Sequence, residues 1–415
     1  MFPAKVPACS GPGDVLAGKY VLLDVIGEGG MGTVFEAAHS ALARTVAIKV
    51  MHPQLAADRE HLRRFHQEAI AAGRFSHVNS VAILDYDRTP SGHPFLVMEL
   101  VRGPSLLHYA HQHRPLPLDQ IVELGEQLLW ALDAAHAAGV VHADVKSDNV
   151  IVQRGETGPC IKLLDFGLAI VDGAQTERPP VDGALQIAGT PDYMAPEIIA
   201  GRVPTFASDL YSVGIVLYDL LTGHRPFTGK PYQEILRAHL ALDVPAPSVS
   251  HPDRGIPPAF DQVVLCALAK TAGERFSSAG TFAHALRRAL VASVAATRPA
   301  PRCDATTSRM RPLARGTSNP PRTRSTRSLH RQIAAALRRG IVEDIAGAYL
   351  ELATNLRDRG CFSTAAMELA EAIDVVSVGA PASDRCLERL RTELRLVRDL
   401  ASRQVPRADD RCDAG

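Results

Sequence analysis

The sequence lacks the features that usually identify secreted, membrane-spanning and nucleic-acid-binding proteins. Its seven cysteines are scattered over 415 residues without a CxxC pair, which argues against a disulfide scaffold and predicts reduced thiols in a cytoplasmic protein. The first ten residues contain no apolar core of signal-peptide length. No apolar run reaches the roughly 20 residues that span a bilayer. Basic and acidic residues balance at 45 each, so no charge excess favours nucleic acid or an anionic membrane.

Periodicity and composition divide the first 291 residues into two parts. Residues 1–18 are rich in proline and glycine and are expected to be loose. From residue 20 to 101 the pattern is mostly strand-like, with one helix over 59–73. After Ser105 it turns helical. We therefore predict an α+β domain over 19–291, in which a small β-rich lobe precedes a larger α-helical lobe. The helices of the larger lobe are predicted over 119–138, 207–222, 232–240, 259–270 and 278–291.

A basic segment follows this domain. Residues 292–328 are rich in Pro, Ser, Thr and Arg and have almost no apolar content. Such a chain cannot bury enough surface to offset the entropy of ordering it, so the composition predicts a disordered linker. The segment is interpreted as a solvated tether, with a phosphorylation-dense or acidic-partner segment as the alternative.

Helical periodicity returns over 329–404, before a short tail at 405–415. Apolar and small residues in this region fall at the spacings of a tetratricopeptide repeat, with a glycine between two helices. The helices 329–339 and 383–400 would have to cover the repeat, because one repeat is not a stable solenoid. An ordinary helical hairpin is the alternative. The residues that fit the pattern are Tyr349, Leu352, Ala353, Leu356, Gly360, Phe362, Ala365, Leu369 and Ala372.

The residues most informative about chemistry lie in one short span of the helical lobe. His142-Ala-Asp-Val-Lys-Ser-Asp-Asn149 is followed by Asp165-Phe-Gly167. The span combines carboxylates, an amide and a lysine, which are the groups that can act as a base, hold a metal and face a phosphate. Phosphoryl transfer depends on this kind of positioning and charge neutralisation more than on covalent chemistry by the protein.

A glycine-rich turn lies near the start of the β-rich lobe. Gly27-Glu-Gly-Gly-Met-Gly-Thr-Val34 contains the G-x-G-x-x-G pattern, in which missing side chains let the backbone approach phosphates. The pattern alone also fits the turn of a dinucleotide-binding fold, but that turn opens a helix. Here the turn lies between predicted strands, and Val46-Ala-Ile-Lys49 follows on the next one. This context favours a loop that covers nucleotide phosphates.

Taken together, residues 20–290 resemble a serine/threonine protein kinase of the eukaryotic-like bacterial type. The segment Gly189-Thr190-Pro-Asp-Tyr-Met-Ala-Pro-Glu197 and the lysine two residues after Asp144 resemble serine/threonine kinases and not tyrosine kinases. The resemblance implies the two-lobed protein kinase fold. It also implies transfer of the γ-phosphoryl group of ATP, with Mg²⁺ as the metal and Mn²⁺ as its alternative.

The resemblance also implies a role for individual residues. Asp144 would be the catalytic base, Lys146 would steady the phosphoryl group, and Glu68 would pair with the phosphate-binding Lys49, with Glu60 as a weaker alternative. Asn149 and Asp165 would hold the metal, Phe166 would set the Asp165 loop in or out, and Thr190 would tie the substrate loop to the base. Glu197 with Arg275, and Asp209, would be structural. The remaining nucleotide contacts implied are Ile26, Gly27, Glu28, Gly29, Gly30, Met31, Gly32, Thr33, Val34, Ala47, Met98 as gatekeeper, Glu99 and Val101 in the hinge, and Ile151.

One position departs from the family pattern. Ala143 stands where the family has an arginine that receives a phosphorylated residue of the activation loop. Its absence puts phosphorylation-gated activation in doubt, and Thr176 is the one regulatory phosphosite that the sequence offers. The chemistry itself is not in doubt, since every metal and phosphate ligand is present.

The sequence therefore predicts a cytoplasmic protein kinase acting on Ser/Thr hydroxyls of proteins. Its tail is expected to bind a protein partner, and neither nucleic acid nor a transmembrane segment is expected. Two alternatives have weaker support. A pseudokinase scaffold would require loss of Lys49, Asp144 or Asp165, and none is lost. A small-molecule phosphotransferase would not need the complete peptide-binding segment 189–197.

Overall fold

The computed structural model describes residues 11–155, 158–165, 170–171, 190–296, 332, 342–358, 369, 372–373 and 388–397. The chain forms two compact units, Met1–Ser293 and Val294–Gly415. The expectations for Phe166, Gly167, Thr176, most of the linker, Gly360, Phe362, Ala365 and the tail 405–415 lie outside the described residues. For 170–171, 295–296, 342–345, 356 and 358 only the backbone is described.

The first unit begins with a six-stranded antiparallel sheet. Its strand order is β1-β2-β3-β4-β6-β5, so each strand from β1 to β4 pairs with the next in the sequence. Val, Ile and Phe on one face of these strands make a small core, which includes the buried Phe35, Ile48 and Val97. The strands are β1 Val15–Leu16, β2 Tyr20–Glu28, β3 Gly32–His39, β4 Arg44–Met51, β5 Ile83–Arg88 and β6 Pro94–Glu99.

A single long helix packs on this sheet. Helix α1, Arg59–Gly73, begins at Asp58, whose side chain accepts a hydrogen bond from the Glu60 amide at 2.8 Å. Its buried face carries Phe65, which packs against Met51 and Leu96 of the sheet. The helix has the bounds expected from the sequence.

The second lobe is built around helix α5, Phe206–Thr222. Its residues 208–222 are all buried, and the helix packs against α3 and α8 in the largest hydrophobic core of the protein. The β-rich lobe and larger helical lobe predicted from the sequence are therefore observed. The other helices are α2 Leu106–His113, α3 Leu118–Ala137, α4 Pro196–Ile199, α6 Tyr232–Ala241, α7 Pro247–Ser250, α8 Pro258–Ala267 and α9 Ala279–Ala296, and the strands are β7 Val140–Val141, β8 Val150–Gly155, β9 Gly158–Leu163 and β10 Ile170–Val171.

Three differences from the sequence-based expectation exceed one residue. Within the N-terminal segment expected to be loose, Val15–Leu16 pairs with β2 and Leu16 is buried in the sheet core. Helix α8 ends at Ala267, three residues before the expected Lys270, because the chain leaves helical geometry at Leu268. Helix α9 continues past residue 291 to Ala296, where the composition is still small and apolar.

In the second unit, helix α10 spans Val342–Asp358, and residues 388–397 are also helical. Arg357 of α10 forms an ion pair with Glu393. Among the residues of the tetratricopeptide-like pattern that are described with side chains, all five are buried: Tyr349, Leu352, Ala353, Leu369 and Ala372. Of the helices in the described ranges, none is long and apolar enough to cross a membrane.

Candidate active site

The register of the sheet places Lys49 at the centre of the candidate site. Lys49 lies on β4, between Val34 of β3 and Leu96 of β6. Its Nζ donates to Glu68 Oε1 at 2.7 Å and to Asp165 Oδ1 at 3.1 Å. Three residues far apart in the sequence, on a strand, a helix and a loop, thus meet at one ammonium group.

Helix α1 presents Glu68, and not Glu60, to this lysine. Glu68 lies on the buried face of the helix, only 2% exposed. Glu60 lies two turns earlier and binds Arg63 and Arg64 of its own helix. The pairing favoured by the sequence is the one that the structure contains.

Burial and charge act on these three groups in opposite directions. Burial disfavours the charged form of Lys49, but the Glu68 and Asp165 carboxylates outweigh it and raise the pKa of the lysine. Burial raises the pKa of Glu68 despite the attraction of Lys49. The Asp165 side chain is 46% exposed but loses some of its hydration inside the site, and the Lys49 ammonium outweighs this loss, so the pKa of this carboxyl lies below its ordinary value. Lys49 and Asp165 are therefore both charged at neutral pH.

The loop between β7 and β8 carries a second group of polar residues. Lys146 Nζ donates to Asp144 Oδ2 at 2.8 Å. Asn149 Nδ2 donates to the Asp144 carbonyl at 2.9 Å and to its Oδ2 at 3.1 Å. Because the amide nitrogen of Asn149 is held by Asp144, its amide oxygen is left for another ligand.

The backbone of this loop is held by Asp209 at the start of α5. The carboxylate accepts from the His142 amide at 2.9 Å and from the Ala143 amide at 2.8 Å. His136 Nε2 lies 2.8 Å from the same carboxylate and stacks on Phe206. These contacts hold Ala143 at a φ of 64°, in the left-handed region that non-glycine residues rarely adopt. The sequence analysis identified Asp209 but missed His136.

A further hydrogen bond connects the Asp144 loop with Asp165. His142 Nε2 donates to the Leu164 carbonyl at 2.9 Å. Asp165, the next residue, has a φ of 53°. The unusual backbone at both loops turns the Asp165 carboxylate towards Lys49, and such conformations are concentrated at functional sites.

The glycine-rich turn between β2 and β3 contains glycines of two kinds. A Cβ on Gly32 would lie 2.2 Å from the Val50 carbonyl oxygen, so the adjacent strand requires glycine here. A Cβ on Gly30 would meet nothing within 4 Å. His52 Nε2 donates to the Gly29 carbonyl at 3.0 Å, and the His52 amide donates to the Met31 carbonyl. His52 was missed by the sequence analysis, because no sequence pattern indicates that it supports this turn.

The residues expected to surround the adenine lie on the facing strands of both lobes. Ala47 and Met98 are direct neighbours across β4 and β6. Glu99 Oε1 accepts from Lys162 Nζ at 2.5 Å and from the Ala82 amide at 2.9 Å. Ile151, on β8 of the other lobe, pairs with Lys162 across β9. The other expected contacts are placed as follows: Ile26, Gly27 and Glu28 on β2, Gly29, Gly30 and Met31 in the turn, Thr33 and Val34 on β3, and Val101 just beyond β6.

The described end of the expected substrate loop lies beside Asp144. Thr190 and Asp144 line the same small cavity of about 20 Å³. Pro191–Tyr193 form a turn, and the Tyr193 carbonyl accepts from Ser212 Oγ at 2.8 Å. The loop is thus tied to α5, the same helix that holds the Asp144 loop.

Glu197 and Arg275 form the expected ion pair. Arg275 donates through both terminal nitrogens to the two Glu197 oxygens, at 2.7 and 2.8 Å, and its side chain is fully buried. Ser208 Oγ also donates to Glu197 Oε1 at 2.7 Å. Burial is outweighed by these donors, so the pKa of Glu197 lies below its ordinary value.

Comparison with known proteins adds to this geometry. A family model described as "Protein kinase domain" matches residues 20–287. The chain is 38% identical over 271 residues to a serine/threonine-protein kinase, pkn3, of Myxococcus xanthus, and 39% identical over 281 residues to Pkn1 of the same organism. It is 38% identical over 276 residues to PknD of Mycobacterium tuberculosis. The matches cover 65%, 68% and 66% of the chain but only 50%, 39% and 40% of these relatives.

A solved structure gives a similar result. The kinase domain of PknI from Mycobacterium tuberculosis superposes with a TM-score of 0.53 and 28% identity. The match covers 68% of this chain and all of that domain. The likeness confirms the fold class predicted for the two-lobed unit.

Proposed function

The chain belongs to the protein kinase family, and from this premise we propose that it transfers the terminal phosphoryl group of ATP to serine or threonine hydroxyls of proteins. The observation that carries the proposal is the meeting of Lys49, Glu68 and Asp165 within hydrogen-bond distance. A buried lysine held by two carboxylates is the arrangement that fixes a cation against nucleotide phosphates. Lys146, bound to Asp144, supports the serine/threonine class.

The residues of the site fit a divalent metal ion. The amide oxygen of Asn149 and the ionised, half-exposed Asp165 carboxylate are oxygen ligands, which Mg²⁺ prefers and Mn²⁺ accepts. The ion would neutralise charge on the phosphates. Asp165 would serve both the metal and Lys49.

We assign the remaining roles on the same basis. Asp144 would accept or orient the proton of the attacking hydroxyl, and its two hydrogen-bond donors, Lys146 and Asn149, hold its carboxylate in place. Thr190 would hold the substrate beside it. Ala47, Val34 and Ile151 would enclose the adenine, and the backbone from Glu99 to Val101 would bind its edge.

The tail and the location of the protein are also part of the proposal. Helix α10 and residues 388–397 support a helical, tetratricopeptide-like tail that binds a protein partner. The scattered cysteines support a cytoplasmic protein. A scaffold without catalysis is not favoured, because Lys49, Asp144 and Asp165 are all present and in place.

The substitution Asp144→Asn tests the function. Turnover of a radiolabelled ATP assay with a generic protein substrate should fall by about 10²–10⁴, the usual contribution of a general base. Binding of a fluorescent ATP analogue should stay within about threefold, since Asp144 would contact the hydroxyl and not the nucleotide.

Asp148→Asn is the matched control. It makes the same change at an exposed residue of the same loop and should keep the wild-type rate. Turnover of the Asp144→Asn enzyme within tenfold of wild type would contradict the assignment. Mapping the phosphorylated residues in the wild-type reaction would show whether serine and threonine are the acceptors.

A further inference from the structure

Three arginines converge at the C-terminal end of helix α5, outside the residues assigned above. Arg114 Nη2 binds Asp219 Oδ1 at 2.8 Å. A Cβ built on Gly223 would lie 2.8 Å from Arg254 Nη2 and 3.5 Å from Arg114 Nη1, so both guanidinium groups face the same point. Arg225, two residues after this glycine, interacts with Asp219 as well. We call Arg114, Arg225 and Arg254 the arginine cluster.

The positive charge of this cluster is only partly neutralised. Asp219 is paired with Arg114, and Asp192 lies 3.6 Å from Arg225. No carboxylate in the part of the chain that the structure describes lies within 4 Å of Arg254. The buried Arg114 Nε has no hydrogen-bond partner among the described residues either. Since buried polar groups are normally satisfied, the cluster has more donors than the protein supplies acceptors.

Three histidines lie around the arginine cluster. His111 and His224 interact electrostatically with Asp219, and both are exposed. His224 stacks on His251 with ring centroids 5.7 Å apart. Burial raises the pKa of Asp219 despite the nearby cations.

The cluster also contacts the loop beside the catalytic base. The Arg225 guanidinium lies over the Tyr193 ring, 5.6 Å from its centroid. Tyr193 and Asp192 belong to the turn that follows Thr190, which lines one cavity with Asp144. A protein segment that presents a hydroxyl to Asp144 would therefore pass close to Arg225, whose side chain is 27% exposed.

From these contacts, and resting on the proposed function, we propose that the arginine cluster binds an anionic side chain of the protein substrate close to the acceptor hydroxyl. The planar guanidinium group pairs bidentately with carboxylates and phosphates, so the cluster would select acidic or already phosphorylated substrates. Arg254 and the partly exposed Arg225 would supply the donors to this anion. The Arg114–Asp219 ion pair lies beside them and helps to hold the end of α5 in place.

A set of peptides with a single acceptor serine tests this inference. The peptides share one sequence and differ at one position, which lies on either side of the serine. Each position carries Asp, phosphoserine, Ala or Lys, and kcat/KM is measured with the full-length chain. We expect an anionic residue to be preferred over Ala by about tenfold at one position or more. If phosphoserine alone is preferred, the cluster accepts a phosphate group. If Asp is preferred as well, the cluster accepts a carboxylate too.

Charge reversal provides the second arm. In Arg225→Glu, kcat/KM for the anionic peptides divided by kcat/KM for the Lys peptides should fall below one. If Arg225→Glu fails to fold, Arg254→Glu should lower this ratio in the same way. Arg288→Glu, an equal change at an exposed residue of α9, should keep the wild-type ratio.

The outcomes separate the two proposals. Equal kcat/KM for all peptides, or an anion preference that survives charge reversal at both arginines, would overturn the inference and leave the kinase function standing. Phosphorylation of no peptide and no protein by the wild-type chain would overturn both.

Discussion

At the scale of single residues, His239 shows how a titratable group can be used for packing. It is fully buried on α6, and its Nδ1 lies 2.8 Å from the Tyr211 hydroxyl of α5. Lys270 Nζ donates to its carbonyl at 2.9 Å. Burial, and secondarily the Lys270 charge, lower the pKa of His239 to about 4. The imidazole is therefore neutral in the folded protein at physiological pH.

This pKa predicts an acid-sensitive stability. Below about pH 6.5 the unfolded chain takes up a proton on His239 that the folded chain excludes until about pH 4, so stability is lost as the pH falls through this range. Between pH 6.5 and 5 the loss should be about 2 kcal/mol. In His239→Gln the free energy of unfolding in urea should fall less over the same interval.

His66→Gln, at an exposed histidine of α1, is the matched control for the substitution itself. An unchanged pH slope in His239→Gln would show that the imidazole is already protonated in the folded state.

At the scale of secondary-structure elements, the two glycines of the β2–β3 turn lead to opposite expectations. Gly32→Ala would force a Cβ against the Val50 carbonyl, so we expect a loss of about 1–3 kcal/mol of stability. Gly30→Ala meets open space and should change stability by less than about 0.5 kcal/mol. Thermal unfolding of both variants measures this difference.

The same two variants distinguish an effect on folding from an effect on nucleotide binding. If the turn covers phosphates, the KM for ATP should rise in Gly30→Ala although the fold is intact. Equal unfolding temperatures for the two variants would contradict the close approach of Gly32 in β3 to the Val50 carbonyl in β4.

The Glu197–Arg275 pair joins the substrate loop to the segment before α9. Arg275→Leu removes the charged partner of a largely buried carboxylate and leaves it with the Ser208 hydroxyl as a neutral side-chain donor, and removing one partner of a buried pair costs about 3–5 kcal/mol. Urea unfolding should show this loss. A loss below about 1 kcal/mol would mean that Glu197 turns to solvent when the arginine is removed.

The elements also show what the sequence could and could not predict. Helix α1 was predicted at its observed bounds because its helical periodicity is a local signal. Strand β1 was missed, because only pairing with β2 and burial of Leu16 order this proline- and glycine-rich segment. Glu68 could be selected over Glu60 because it lies further along the helix from the strand that carries Lys49. His52, His136 and Arg225 were missed because they act through contacts distant in sequence, which leave no local pattern.

At the scale of the whole molecule, the loop between β7 and β8 lacks the arginine that receives a phosphorylated residue in the protein kinase family. Ala143 replaces the usual arginine, and Lys162 of β9 is bound to Glu99 and to the Ser80 carbonyl. A phosphate on Thr176 would therefore lack this partner. Thr176→Ala should change specific activity by about threefold or less, before and after phosphatase treatment, which corresponds to roughly 0.6 kcal/mol of barrier.

A hundredfold loss in Thr176→Ala would show that another basic residue takes over the role of the arginine. Ala143→Arg is the complementary variant. Phosphatase treatment should lower the activity of Ala143→Arg if the missing arginine alone makes the wild-type activity independent of phosphorylation.

The division of the chain into two units leads to a prediction about the tail. Deleting residues 329–415 should leave activity on a generic substrate within about twofold, because the residues assigned to catalysis all belong to the unit Met1–Ser293. Capture of a native protein partner should fall. Complete loss of generic activity would mean that the tail belongs to the catalytic fold.

The alanine at position 143 has a consequence for how a cell would regulate such an enzyme. A kinase that is activated by phosphorylation can accumulate in an inactive form and become active quickly. A kinase without that switch works whenever ATP and a substrate are at hand, so its output follows the number of copies present. We therefore expect the synthesis and degradation of this protein to be controlled more tightly than its modification, and overproduction alone to increase phosphorylation of its targets.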